Sequence, residues 1–190
     1  MEDTELPADA RAADEESDSM PRRPDVTIAL PAYNEVEAIT GVIRQVRDVA
    51  DKLGCMYEIL VVDDGSTDGM SDLLEIVSSE SPDIIRVVRH PYNQGNGAAV
   101  KTSIRSARAD LLILMDADGQ HSGSQLIPLW REHENADMVV GARKKALHSP
   151  IWRMPGKWLL SAMANYLMGE KIPDLNSGLR LIRREVALKY

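Results

Sequence analysis

The sequence predicts an α/β fold in which helices are layered on a mostly parallel central sheet. Short apolar segments alternate along the chain with segments whose apolar residues recur at helical spacing, which is typical of strand–helix–strand units. The run from Leu111 to Met115 is apolar without a break, as expected for a strand buried on both faces of a parallel sheet. The apolar runs predict strands over residues 26–30, 57–62, 84–88, 111–115, 138–140 and 177–182.

Helical spacing of apolar residues between these runs predicts the covering layers. Gly54 closes the first helix, as glycine often does, and Pro155 suits the first position of the last one. The predicted helices cover residues 39–53, 71–77, 98–108, 125–134 and 155–168.

Composition and length fit one folded domain at residues 25–190 behind a leader at residues 1–24. The leader has eight acidic residues, three arginines and no aromatic residue, so we expect it to be disordered. The net charge of -8 and the lack of a dense basic stripe disfavour nucleic-acid binding. With Cys55 as the sole cysteine and no run of about 18 apolar residues, we expect a cytoplasmic protein without a membrane span. The chain stops where a helix begins, so we expect a short family member or a fragment truncated at its C-terminus.

Two acids follow the strand that begins at Leu111. Asp116 and Asp118 are two residues apart, so in an extended segment their side chains project to the same side. Open α/β sheets usually bind ligands at the carboxyl ends of their strands. A carboxylate pair there suits a hard divalent cation that takes further ligands from substrate phosphates. The alternative is that both acids only cap a loop or the next helix.

Two further loops with functional groups also follow strands directly. They are Tyr33-Asn34-Glu35 after the first strand and Asp63-Asp64 after the second. Because the carboxyl ends of parallel strands share one edge of the sheet, these loops and Asp116 are expected to lie together. Taken alone, residues 63–68 form a good turn and helix cap. The shared edge nevertheless favours a site for a nucleotide and a metal ion over independent caps.

A dinucleotide fingerprint is the competing interpretation of Gly95-Asn96-Gly97-Ala98-Ala99-Val100. The segment follows a strand, opens a helix and has Asp116 about twenty residues downstream. However, Val100 stands where the third small residue belongs, the strand is the third and not the first, and Asp118 would have no task. We therefore favour a tight turn that uses the freedom of glycine, with Lys101 near a phosphate.

Five motifs occur in order between residue 26 and the end of the chain. They are Pro31-Ala32-Tyr33-Asn34-Glu35, the stretch from Val62 to Gly69, the stretch from Asn93 to Lys101, Asp116-Ala117-Asp118-Gly119-Gln120-His121, and Asp174-Leu175-Asn176-Ser177-Gly178-Leu179-Arg180. Together they resemble the family 2 glycosyltransferases, especially the dolichyl-phosphate mannose synthases and polyprenyl-phosphate glycosyltransferases. The resemblance implies a GT-A fold, a Rossmann-like three-layer sandwich. It also implies a nucleotide-sugar donor (a UDP- or GDP-sugar), Mg²⁺ or Mn²⁺, and inversion at the anomeric carbon.

The resemblance also assigns roles to individual residues. The residues that it implies for the donor nucleoside are Pro31, Tyr33, Glu35 and either Asp63 or Asp64. The residues that it implies for the metal and the diphosphate are Asp116, Ala117, Asp118 and Gln120. Arg143 and Arg180 match two family arginines, whose guanidinium groups suit phosphate oxygens. The alternative for each arginine is a solvated surface position.

The acceptor implied by the resemblance is a polyprenyl or dolichyl phosphate, in glycan or cell-envelope biosynthesis. Such a phosphate is already anionic and can attack without a general base, whereas a sugar hydroxyl needs one. The Gln-x-x-Arg-Trp signature of processive synthases is absent, which favours the lipid phosphate over the hydroxyl. Residues 151–168 combine tryptophans and cations and either lie at the cytoplasmic face of a membrane or form a helix that covers the sheet. A non-catalytic nucleotide-sugar-binding module is the second hypothesis.

Overall fold

The computed structural model describes residues 22–141 and 177–189, which form one six-stranded sheet with helices on both faces. The strands are β1 (Val26–Ala32), β2 (Tyr57–Asp63), β3 (Ile85–Arg89), β4 (Leu111–Leu114), β5 (Met138–Val140) and β6 (Arg180–Arg183). The helices are α1 (Ile39–Ala50), α2 (Met70–Glu80), α3 (Asn96–Ser106), α4 (Leu126–Arg131) and α5 (Arg184–Ala187), and a 3-10 turn covers Gly123–Gln125. The predicted helix over residues 155–168 and most of the predicted leader lie outside the described residues.

The strand order is β3-β2-β1-β4-β6-β5, and the sheet is mostly parallel, as predicted. Strands β3, β2, β1 and β4 run in the same direction, whereas β6 is antiparallel to both of its neighbours. Arg180, the first residue of β6, pairs with Leu114 at the end of β4 and with Val140 at the end of β5. Because β6 runs back, the turn that precedes it lies at the edge where the parallel strands end.

The core occupies both faces of the sheet. Alternate residues of a strand project to opposite faces, and β1 follows this rule with Ile28 and Ala29, both fully buried. Ile28 belongs to the apolar cluster that includes α1, α2 and α4, and Ala29 to the cluster that includes α3. Helix α1 turns one apolar stripe inward at helical spacing, formed by Ile39, Val42, Ile43, Val46 and Ala50. Burial of each isoleucine or valine in this stripe contributes about 1.5–3 kcal/mol.

Three helices differ in length from the sequence prediction, and one of them, α2, covers Met70–Glu80 where residues 71–77 were expected. Helix α1 ends at Ala50 and not at residue 53, because residues 51–54 form turns that carry Gly54 into a positive φ of 70°. Helix α4 covers only part of the expected 125–134 segment and follows the 3-10 turn. That turn packs closely on α1, since a Cβ on Gly123 would lie 2.5 Å from the Gln45 carbonyl oxygen. Within the described ranges, no helix has the length and apolar character needed to cross a membrane.

Candidate functional site

A cleft of about 360 Å³ lies at the edge of the sheet where β1, β2 and β4 end. The end of β1 and the loops that follow these three strands supply most of its wall, and the loop after β3 and the start of α3 supply the rest. This is the edge at which the sequence predicts a site. Its lining residues are Pro31, Ala32, Tyr33, Glu35, Asp64, Asn93, Asn96, Ala99, Asp116, Ala117 and Asp118.

Asp116 lies two residues beyond the end of β4 and is half-buried. The turn before β6 packs directly on its carboxylate. An ideal Cβ on Gly178 would lie 1.8 Å from Asp116 Oδ2, so this approach is open only to a residue without a side chain. The Ser177 hydroxyl donates to the carbonyl of Gly141 at 2.5 Å and accepts from the Leu179 N–H at 3.2 Å. These bonds fix the turn to the end of β5 and thereby fix the surface on which Asp116 rests.

Asp118 is exposed in the same cleft, and its Oδ1 accepts the Gln120 backbone N–H at 2.9 Å. Burial, followed by the charges of Asp118 and Asp68, raises the pKa of Glu35 above its usual range. The cleft therefore concentrates negative charge, and a cation would relieve the repulsion between its carboxylates. No group of three side chains suited to a metal ion occurs in residues 22–141 and 177–189. A pair of carboxylates fits Mg²⁺ or Mn²⁺ when substrate phosphates and water complete the coordination.

The two neighbouring acids at the end of β2 have different surroundings. Asp63 is fully buried and accepts from the Ser66 N–H at 2.9 Å and from the Ser71 hydroxyl at 2.5 Å, so its carboxylate organises its own loop. Asp64 lines the cleft. Of the two predicted acids, Asp64 is therefore the one that lines the cleft, and the contact with a nucleoside stays a prediction.

The carboxylate of Asp64 accepts three hydrogen bonds. They come from the His90 Nδ1 at 2.6 Å, the Gln94 N–H at 3.0 Å and the Gly95 N–H at 2.8 Å. Burial alone would raise the pKa of Asp64, but these donors outweigh burial and hold the pKa below its usual value. The group is therefore ionised at neutral pH and faces the cleft as an acceptor.

Asn34 connects the loops after β1 and β2. It is the only described non-glycine residue with a positive φ, 56°, a conformation that asparagine tolerates better than most side chains. Its N–H donates to the Ser66 Oγ at 2.9 Å, and its Oδ1 accepts the Thr67 N–H at 2.8 Å. The residues on either side, Tyr33 and Glu35, line the cleft. Asn34 thus sets the backbone from which both project.

Not every predicted site residue lines the cleft. The cleft is lined by Pro31, Tyr33, Glu35 and the Asp116-Ala117-Asp118 segment, whereas Gln120 and Lys101 are exposed and are not among its lining residues. Arg180 is half-buried, and its Nε donates to the Ser177 carbonyl at 2.9 Å. Arg143 lies outside the described residues.

Sequence reasoning gave no role to Asn93, Asn96, His90 or Gly178. Asn93 and Asn96 belong to the glycine-rich segment, in which the sequence pattern indicated a role only for the glycines and Lys101. Their side chains form part of the wall of the cleft. The Asn-x-x-Asn spacing at a helix start was the available signal. His90 contacts Asp64 and Gly178 contacts Asp116, both distant in the chain, and no local sequence pattern predicts such contacts.

The fold and the cleft define an α/β protein with an acidic cleft at the carboxyl edge of a mostly parallel sheet. Comparison with known proteins makes this class specific. Residues 27–190 match the family model described as glycosyl transferase family 2, and the chain belongs to that family. The resemblance predicted from the five motifs is therefore confirmed.

Relatives of known name and structure agree with this assignment. The undecaprenyl-phosphate 4-deoxy-4-formamido-L-arabinose transferase of Salmonella paratyphi B is 27% identical over 161 residues, covering 85% of this chain and 49% of the relative. The chain thus spans about half the length of that protein. A mannosyltransferase from Pyrobaculum calidifontis, solved with GDP-Man and Mn²⁺, has a TM-score of 0.61 at 24% identity, over 89% of this chain and 47% of that one.

The glucosyl-3-phosphoglycerate synthase of Mycobacterium tuberculosis, solved with Mn²⁺, UDP-Glc and phosphoglyceric acid, has a TM-score of 0.63 at 24% identity. That match covers 86% of this chain and 57% of the synthase. These structural neighbours are GT-A glycosyltransferases, and the predicted GT-A fold is confirmed.

Proposed function

We propose that this protein transfers a hexose from a nucleoside-diphosphate sugar to a polyprenyl phosphate, with inversion and with the help of a divalent metal ion. The observation that carries the proposal is the grouping of Tyr33, Glu35, Asp64, Asp116 and Asp118 on one cleft. Three separate strand ends supply these side chains, and independent helix caps would have no reason to converge. Family membership supplies the reaction class.

The nucleoside half of the donor is assigned to Tyr33, Glu35 and Asp64. An ionised carboxylate accepts strongly and directionally from the N–H and O–H groups of a base or a ribose. Asp64 has a lowered pKa, and its Oδ2 accepts only the Gly95 N–H among the described groups, which leaves acceptor capacity on that oxygen. Tyr33 is 42% exposed and offers an aromatic surface beside these acceptors.

The diphosphate half is assigned to Asp116 and Asp118. These residues would hold Mg²⁺ or Mn²⁺, which supplies positive charge against the departing nucleoside diphosphate. The chain's own task is to keep both carboxylates on one wall, and the packing of Gly178 against Asp116 serves that task. Arg143, Arg180 and Lys101 are proposed to contact phosphate oxygens, with Gln120 beside the metal.

The acceptor is proposed to be a lipid phosphate presented at a membrane surface. The named relative is an undecaprenyl-phosphate transferase, and an anionic phosphate needs no general base for attack. A sugar hydroxyl is the alternative acceptor, because Glu35 is a carboxylate of raised pKa in the cleft and could take a proton. The membrane contact is assigned to residues 151–168, whose tryptophans and cations suit an interface.

The first experiment is calorimetry of residues 1–190 with UDP, GDP, UDP-glucose and GDP-mannose, each with and without Mn²⁺. We expect the protein to bind either the uridine or the guanosine nucleotides. Mn²⁺ should raise the affinity for the corresponding nucleoside diphosphate. Absence of any metal-dependent nucleotide binding would refute the proposal. Asp64→Asn and Asp118→Asn separate the two halves, since the first should weaken binding in both conditions and the second only with Mn²⁺.

The second experiment identifies the acceptor. Sugar-labelled donor is incubated with Mn²⁺ and either undecaprenyl phosphate in detergent micelles or a soluble hexose. Label in the lipid fraction supports the proposal, and label in the soluble product supports the hydroxyl alternative. Donor binding with neither transfer nor hydrolysis would identify a nucleotide-sugar-binding module. Because the chain covers only 49% of its named relative, the experiment also tests the hypothesis of a non-catalytic binding module.

A further inference from the structure

His90 lies behind the wall of the cleft, one residue beyond the end of β3. The ring is 8% exposed and is held from both sides. Its Nδ1 lies 2.6 Å from Asp64 Oδ1, and its Nε2 lies 2.8 Å from Thr102 Oγ1 on α3. The backbone holds the residue as well, because the His90 N–H donates to the Asp63 carbonyl at 2.8 Å.

The direction of the first hydrogen bond follows from the chemistry of the pair. An ionised carboxylate can only accept, so Nδ1 carries the proton and donates it to Asp64. The Thr102 hydroxyl can serve Nε2 as donor or acceptor, and either role keeps the ring in one orientation. His90 itself does not line the cleft, so it reaches a bound molecule only through Asp64.

Asp64 in turn holds the loop that forms the opposite wall. Its carboxylate accepts the N–H groups of Gln94 and Gly95, two consecutive amides at the entrance to α3. Their neighbours in the chain, Asn93 and Asn96, both line the cleft. The loop at residues 93–96 is largely exposed, and these two bonds attach it to the buried end of β2.

We propose that His90 is a positioning residue of the donor site: it fixes the rotamer of Asp64, and Asp64 fixes the loop that carries Asn93 and Asn96. The inference rests on the proposed function, because it takes the nucleoside to lie between Asp64 and this loop. The relay Thr102–His90–Asp64 connects α3 and the end of β2 behind the nucleoside site. Loss of the His90–Asp64 bond should therefore lower the fraction of molecules whose loop is ready to bind.

Two substitutions at the same position separate the two ends of the ring. An asparagine amide nitrogen reaches about as far as Nδ1, so His90→Asn keeps a donor for Asp64. A glutamine amide nitrogen reaches about as far as Nε2, so His90→Gln keeps a partner for Thr102 and loses Asp64. If the binding-competent fraction falls to about a tenth, the Kd for nucleotide rises about tenfold. We expect this rise for His90→Gln, and a change of less than about twofold for His90→Asn.

The assay is calorimetry of each full-length variant with UDP and with GDP, without metal. Equal affinity of wild type and His90→Gln would overturn the inference while leaving the proposed function intact. Equal loss in both variants would also overturn it, since that result marks a packing role for the ring. If the wild type binds neither nucleotide, either in this assay or with Mn²⁺ added, the proposed function fails and the inference fails with it.

Amide hydrogen exchange provides a measurement that needs no ligand. His90→Gln should exchange faster than wild type and His90→Asn at Gln94 and Gly95, with the amides of β1 unchanged. Unchanged exchange at both loop amides would contradict the relay. Faster exchange throughout β1 would show general destabilisation in place of positioning, and would likewise overturn it.

Discussion

A methyl group at position 178 tests how tightly the chain positions its candidate metal ligand. In Gly178→Ala the new Cβ would lie 1.8 Å from Asp116 Oδ2, 2.3 Å from its Cγ and 2.5 Å from its Oδ1. A carbon and an oxygen in ordinary contact stay more than about 3 Å apart, so the carboxylate has to move by more than about 1 Å. The side chain is half-buried, and the move therefore requires rotation to another rotamer.

A displacement of this size is large for a group that contacts reacting or charged atoms. Misplacement by about 1 Å can lower a rate about 100-fold, and we expect sugar transfer by Gly178→Ala to fall by about that factor. Metal-free nucleotide binding should remain within about twofold of wild type, because Asp64 and Tyr33 are untouched. The extra affinity that Mn²⁺ gives to the nucleoside diphosphate should be lost.

Gly41→Ala is the matched control. Gly41 lies in α1, is exposed, and has open space around an added Cβ. Alanine there should stabilise the helix by about 0.5–1 kcal/mol and leave transfer unchanged. The reasoning is refuted if Gly178→Ala transfers sugar at the wild-type rate with the wild-type Mn²⁺ dependence. A Tm far below that of wild type would instead mark position 178 as a folding determinant.

Three further predictions concern the supports of the cleft and the core. Asn34→Ala should raise the donor KM about tenfold, because the variant loses the acceptor for the Thr67 N–H and the tolerance of asparagine for a positive φ. Asn34→Asp keeps both properties and should have a KM near that of wild type. Equal KM values for the two variants would contradict the prediction. Asp118→Asn should abolish the Mn²⁺ effect in calorimetry and leave the urea midpoint unchanged, because its carboxylate is exposed; a large fall in the midpoint would make it structural. Glu58→Ala should lower the free energy of unfolding in urea by about 1–3 kcal/mol, since the buried Glu58 accepts hydrogen bonds from the Thr27 hydroxyl and the Arg108 N–H. An unchanged midpoint would refute that role.

Strand positions were predictable from the sequence because apolar runs report burial directly. The segment 138–140 agrees at both ends, and 26–30 differs only in that β1 continues to Ala32. The extension passes through Pro31, which pairs in register with Val62 of β2. Proline lacks an N–H but costs little near the end of a strand, and its usual meaning as a stop signal was misleading here.

The direction of β6 was not predictable from its composition. An apolar run has the same pattern in either direction, and direction depends on the path of the chain between two strands. The antiparallel course brings Gly178 against Asp116 from 62 positions away in the sequence. The motif containing Gly178 was visible, but its contact with Asp116 depends on the tertiary fold.

The difference between Asp63 and Asp64 was within reach of elementary geometry. Neighbouring residues of a strand project to opposite sides, so two adjacent acids at one strand end point their side chains in different directions, and of this pair Asp64 is the one that lines the cleft. Which of them faces it depends on the apolar alternation of β2. Val61 belongs to the cluster with α1, and Val62 to the cluster with α3, and continuing the alternation puts Asp64 with Val62 on the α3 side. That is the side from which His90, Gln94 and Gly95 reach it.

The acids of the cleft are therefore held by neighbours that do not themselves line it. Asp116 rests on Gly178, and Asp64 is held by His90. Gly178 lies in the turn before β6, the strand beside β4, and His90 follows β3, the strand beside β2. A substitution in either support should thus alter donor binding before it alters global stability, because neither Gly178 nor His90 belongs to the apolar clusters of the core. Separate measurements of metal-dependent and metal-free affinity would tell the two supports apart, since Asp116 is proposed to serve the diphosphate half of the donor and Asp64 the nucleoside half.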